Sequence, residues 1–183
     1  MKFSMKKVTV LLADGFEEIE ALTVVDLLRR AKVYVDTVSI TDDYTVRGAH
    51  GIPVQTEDLI TEIDFKESDM IVLPGGMPGT TNLKEDENVR KAVQEAYDDG
   101  RYVAAICAAP TILADMGLLK GKRATCYPDM ESEIEDAYLT GAPVATDENI
   151  ITSQGVGTAI DFALKLIEVL ISEEKAVEIA DSI

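Results

Sequence analysis

Two kinds of residue in this 183-residue chain could do chemistry: a cysteine at a strand-to-helix turn, and acids and glycines at two further turns. The cysteine lies in Tyr102-Val103-Ala104-Ala105-Ile106-Cys107-Ala108-Ala109-Pro110-Thr111. An apolar strand enters this segment. A helix leaves it with Pro110 in the first turn, where the missing N–H is no loss. Ala105 and Ala109 stand two residues either side of Cys107. That is the small-x-nucleophile-x-small pattern of a nucleophile elbow, a turn too sharp for bulky neighbours. The free N–H groups and partial positive charge of a helix start favour a thiolate, so the pattern predicts a depressed thiol pKa. The Ala108 N–H is then placed to meet a developing oxyanion. The competing reading is a buried core cysteine, since free cysteine is among the most buried residue types.

The acidic turn is Asp14-Gly15-Phe16-Glu17-Glu18-Ile19-Glu20, and the glycine turn is Pro74-Gly75-Gly76-Met77-Pro78-Gly79. A Glu20 carboxyl beside the thiol would have a raised pKa and could donate to sulfur or shuttle a proton. The alternative is an acid that only suits a helix N-terminus on a solvated face. Glycine allows close backbone approach, so the Gly76 N–H could complete an oxyanion hole; otherwise 74–79 is a plain turn.

These turns must be positioned by regular elements. Short apolar runs at 8–12, 70–73 and 102–106 read as buried strands, and the alternation at 34–40 as another. Shorter strand candidates lie at 123–126, 144–146 and 150–152. Helical spacing covers 18–31, with Ile19, Leu22, Val25 and Leu28 on one face and Arg29 and Arg30 in the last turn. It also covers 87–99 before a capping Gly100, then 110–116, 157–171 and 175–180. Segment 42–56 reads as a hairpin or excursion. Strands alternating with helices imply βαβ units, a mostly parallel sheet and helices on both faces. Ligands of such sheets sit beyond the carboxyl ends of the strands, where loops 13–20, 74–82 and 107–110 converge.

Composition narrows the function. The net charge of −17 argues against a nucleic-acid partner and against an anionic membrane surface. The apolar run after the basic start stops at Asp14, too short for a signal peptide, and no stretch reaches a membrane span. The expected location is therefore the cytoplasm, with Cys107 and Cys126 as free thiols. Two cysteines and the one histidine, His50, far apart in sequence, argue against a zinc site. The length suits one domain over 1–183.

The segments 13–20, 73–76, 104–110 and 152–158 together resemble the ThiJ/PfpI superfamily, and within it the branch of the parkinsonism-associated DJ protein and bacterial YajL. The similarity runs from about Lys7 to Ile171. It implies a flavodoxin-like three-layer α/β sandwich with a nucleophile elbow, working as a homodimer without a cofactor. It also implies Cys107 as the reactive thiol, Glu20 as its protonated partner, and Gly76 and Ala108 as N–H donors to the pocket. Glu17 matches a second acidic position, and Arg30 and His50 fall near the family's dimer contact. Members are described as glyoxalases acting on methylglyoxal, protein deglycases, redox sensors and chaperones, so the implied partner is a small reactive aldehyde or a glycated substrate. Two positions depart from relatives. Protease-like members place histidine after the cysteine, where Ala108 stands here, which argues against a peptidase. Some closer members carry histidine where Tyr127 stands, and a phenol is a poor base at neutral pH. Proton transfer then falls mainly on Glu20, with His50 a remote option as base.

Overall fold

A computed structural model describes residues 5–183; residues 1–4 of the basic start lie outside the described residues. The chain runs β1 (Lys7–Leu12), α1 (Glu18–Arg30), β2 (Tyr34–Ser39), β3 (Thr45–Arg47), β4 (Pro53–Gln55), β5 (Asp58–Leu59), β6 (Met70–Leu73), α2 (Gly79–Glu85), α3 (Glu87–Asp98), β7 (Tyr102–Ile106), α4 (Pro110–Asp115), β8 (Arg123–Ala124), β9 (Tyr138–Leu139), β10 (Val144–Asp147), β11 (Ile150–Ser153), α5 (Ala159–Leu170) and α6 (Glu173–Ala180). Seven strands form one sheet in the order β10-β11-β7-β6-β1-β2-β5. All neighbours are parallel except β10 and β11.

The apolar runs are buried on both faces because successive side chains of a strand point to opposite sides. Val10, Val72, Ala104 and Ile106 join one core with Val24, Leu28, Phe162 and Leu166 of α1 and α5. Leu11, Ile71, Leu73, Val103 and Ala105 join a second core with Val89, Val93, Ile112 and Leu113 of α3 and α4. Helices over both faces of a mostly parallel sheet make the flavodoxin-like α/β fold. Segment 42–56 contains the β3–β4 hairpin, as its turn residues suggested. No helix among the described residues is long and apolar enough to cross a membrane.

Two local readings need correction. The apolar stripe of α1 is not Ile19-Leu22-Val25-Leu28: Ile19 is 52% exposed and Leu22 38% exposed. Val25 and Leu28 are buried as expected, and the rest of the buried stripe is Glu18, Glu20, Ala21, Val24 and Leu27. The helix is rotated so that Glu20, a polar residue, faces inward, and Ile19 and Leu22 turn out with it. The 74–82 loop is also shorter than expected, because α2 begins at Gly79.

Asp36 on β2 is buried, and its Oδ1 has no hydrogen-bond partner. Burial first, then the neighbouring Asp58 carboxyl, raise its pKa to about 6, against a partial offset from Lys7. Between the ordinary aspartate value near 3.8 and about 6, the folded chain therefore holds a proton that the unfolded chain has released. Stability from this site falls as pH rises through that window. Asp36→Asn, which does not titrate, is expected to melt higher than wild type at pH 7.5, with the gap closing at pH 4. A constant gap across this range in thermal melts would contradict it.

Candidate functional site

The site lies on the carboxyl edge of the sheet. Parallel register aligns Leu73 with Ala105 and Ser153 with Ile106, so the chain leaves β6, β7 and β11 at one level. Cys107, the first residue beyond β7, has φ +65°. A side chain in this left-handed region costs about 1–2 kcal/mol and is held only where surroundings impose it. Here they do: the Cys107 N–H donates to Ser153 O at 3.0 Å, and its carbonyl accepts from Tyr127 N at 2.8 Å. Ala105 and Ala109 are fully buried, so the small residues flanking the turn are needed for space. Pro110 opens α4, as expected.

Glu20, in the first turn of α1, is fully buried. Its Oε2 accepts from Gly75 N at 2.9 Å, while Oε1 has no nitrogen or oxygen partner among the described residues. The carboxyl lies beside the Cys107 side chain. A β-carbon on Gly155 would stand 3.8 Å from Cys107 Sγ and 3.9 Å from Glu20 Oε1, so both atoms face this glycine. Gly75 and Gly76 permit the close approach. A β-carbon on Gly75 would lie 2.7 Å from both Cys107 Cβ and Glu20 Oε2. Gly76 has φ +92°, and a β-carbon there would meet Glu17 N at 2.3 Å.

The electrostatics confirm one expectation and reverse another. Burial raises the Glu20 pKa to about 7; hydrogen bonds from Cys107 and Gly75 oppose it, and the Glu17 charge adds to it. The Cys107 thiol was expected to be depressed and is instead pushed up to about 12. Burial is the main cause, followed by the negative charge and hydrogen bond of Glu20. The Ala108 and Gly76 N–H groups lower it, as a helix start should, but they are outweighed. Both groups are thus shifted upward, Glu20 to about 7 and Cys107 to about 12, so the carboxyl gives up its proton well before the thiol does.

A cavity of about 520 Å³ opens on this pair. Its walls are Glu17, Glu20, Gly76, Cys107, Tyr127, Pro128 and the segment 154–158. Tyr127 is 44% exposed and lies on the rim. The wall from Gln154 to Thr158 was not among the candidate site residues, although 152–158 is one of the segments that carry the family resemblance. A cavity of about 440 Å³ beside α2, α3 and α4, with Lys84, Arg90 and Asp115, is lined by neither cysteine and is not the candidate site.

Other singled-out residues fall outside the cavity. His50, on the loop of the β3–β4 hairpin, is exposed and places Nδ1 at 2.8 Å from Glu18 Oε2 and 3.5 Å from Glu17 Oε2. Its pKa is raised, chiefly by the Glu18 hydrogen bond. Glu18, part of the acidic turn but given no site role from sequence, is buried and also accepts the His50 backbone N–H at 2.8 Å. Burial pushes its pKa up, but these hydrogen bonds prevail and lower it. Glu17, Glu18 and His50 together bring three ligand-type atoms within 4.8 Å of one another. Arg30 pairs with Asp26 on the outer face of α1 at 2.8 Å. Cys126 is fully buried in the α3–α4 core, with its thiol raised to about 11 by burial and then by Glu131 and Glu133.

A cysteine on a strained turn at the carboxyl edge of a parallel sheet, with an internal carboxyl beside it, defines an α/β protein of the nucleophile-elbow class. The chain belongs to the DJ-1/PfpI family, whose profile matches residues 6–169. It is 40% identical over 182 residues to Protein DJ-1 homolog B of Arabidopsis thaliana, covering 98% of this chain but 42% of that protein. The chain thus spans less than half the length of this relative. It is 34% identical to the protein named glutathione-independent glyoxalase DJ-1 of Schizosaccharomyces pombe, covering 93% of this chain and 94% of the relative. The structure of oxidized Toxoplasma gondii DJ-1 superposes with a TM-score of 0.92 at 37% identity, over 97% of each chain.

Proposed function

We propose that the protein is a cysteine-dependent, cofactor-independent enzyme of the glyoxalase or deglycase type, acting on methylglyoxal or its adducts. The observation that carries this reading is the Cys107–Glu20 pair, side by side and open to one cavity, with Gly76 and Ala108 N–H groups acting on the sulfur. The name of the fission-yeast relative supports the same chemistry without glutathione.

In the proposed reaction, Cys107 sulfur attacks the aldehyde carbon as its proton passes to the Glu20 carboxylate. The Gly76 and Ala108 N–H groups hold the oxyanion until Glu20 returns the proton, which completes a hemithioacetal. Glu20, again a carboxylate, then removes the proton on C1 to give an enediolate and returns it to C2, while the C1 hydroxyl proton passes to the C2 oxygen, giving a lactoyl thioester. Water cleaves the thioester, releasing lactate and restoring the thiol, so the sum is methylglyoxal plus water to lactic acid. The test is lactate formation from methylglyoxal without glutathione, by wild type, Cys107→Ala and Glu20→Gln. Lactate lost in both variants is expected; lactate unchanged in Cys107→Ala would sink the reading.

A second reading, redox sensing, is favoured by the contrast between Cys107, which opens to the cavity, and Cys126, which does not. Two equivalents of peroxide would carry the Cys107 thiol through sulfenic to sulfinic acid, releasing two waters, with Glu20 hydrogen-bonding the product. Mild peroxide is expected to add two oxygens to Cys107 and none to Cys126 by peptide mass spectrometry. Equal oxidation of both would count against this reading.

A further inference from the structure

The cavity is charged in one sense only. Two acids, Glu17 and Glu20, line it, and no lysine, arginine or histidine among the described residues does. Glu20 is fully buried behind the thiol and accepts the Gly75 N–H. Glu17 has no such partner within the cavity, and it is rigidly placed. Its N–H donates to Gly75 O at 2.8 Å, its Oε1 accepts from Ile19 N at 3.4 Å, and its side chain is only 13% exposed. The only cationic group within 4.0 Å of it among the described residues is His50, which lies outside the cavity walls.

We propose that Glu17 is a specificity-determining residue that admits neutral carbonyl compounds to Cys107 and turns away those bearing a carboxylate. A fixed, largely buried carboxylate repels an anion more strongly than the same charge in water. Methylglyoxal and glyoxal carry no charge and pass; glyoxylate and other oxo-acids meet the field of Glu17. The inference deepens the glyoxalase-type reading and rests on Cys107 as the reacting thiol.

The test uses two alkylating agents that differ in charge alone, neutral iodoacetamide and anionic iodoacetate. Mass spectrometry follows modification of Cys107 separately from Cys126. The ratio of the two rates is divided by the same ratio for a small free thiol, which removes intrinsic reactivity. In wild type this normalised preference for iodoacetamide should stand well above one, and Glu17→Gln should lower it about tenfold. Glu67→Gln removes one charge at the amino-terminal end of the sheet and should leave the ratio unchanged, which separates a local effect from the net charge of −17. A ratio equal in wild type and Glu17→Gln, or lowered as much by Glu67→Gln, would overturn the proposal.

Preference for methylglyoxal over glyoxylate in turnover should shift in the same direction. If the alkylation ratio falls in Glu17→Gln while no lactate forms, the filter stands and the glyoxalase-type reading fails. If lactate forms and the ratio does not move, the reverse holds.

Discussion

Cys107→Ala is expected to abolish lactate formation from methylglyoxal, a loss of at least about 10³-fold, while the fold persists. The proposed reaction runs through a carbon–sulfur bond, and no second thiol can substitute, because Cys126 is fully buried in the opposite core. Alanine keeps the β-carbon that Gly75 already accommodates, so the turn survives at similar backbone cost. Cys107→Ser should be nearly as inactive, since an alkoxide is harder to form than a thiolate at the same carboxylate. Circular dichroism and thermal melting should place both variants close to wild type. Lactate formation within about threefold of wild type in either would remove Cys107 from the reaction.

Glu20→Gln is expected to lower kcat by about 10²–10⁴-fold, the usual contribution of a positioned acid or base. The amide oxygen can still accept from Gly75 N, so the site is not dismantled. What is lost is the group that takes the thiol proton and later the C1 proton. Burial holds that carboxyl near neutrality, at about 7, where one group can serve as both base and acid. A loss in KM alone, with kcat preserved, would mean that Glu20 binds substrate without moving protons.

Much of this arrangement is legible in the sequence because it is written in short patterns. The apolar runs of β1, β6 and β7 fix the buried strands, and the turns that follow them carry Glu20, Gly76 and Cys107 to one edge. Other features are set by contacts between distant segments. Periodicity alone favours Ile19 and Leu22 as the inner face of α1, since apolar residues outrank a glutamate. The helix turns the other way because Glu20 finds the Gly75 N–H and Cys107 inside. The thiol pKa is misread from sequence for a related reason: a helix start is visible in the pattern, but the burial and the carboxylate that outweigh it are not. The Glu18–His50 pairing likewise joins residues 32 apart and has no local signature.

The central claim, that cysteine and glutamate work as a single-proton pair, is tested most directly by the pH dependence of kcat/KM for methylglyoxal in glutathione-free buffer. Below about pH 7 both groups are protonated and no base is present; above it the pair holds one proton and attack can proceed. The wild-type profile should therefore rise through an inflection near pH 7 and level off by pH 8.5, and the inflection should be absent in Glu20→Gln. A flat wild-type profile from pH 5.5 to 8.5, or the same inflection retained in Glu20→Gln, would contradict the account.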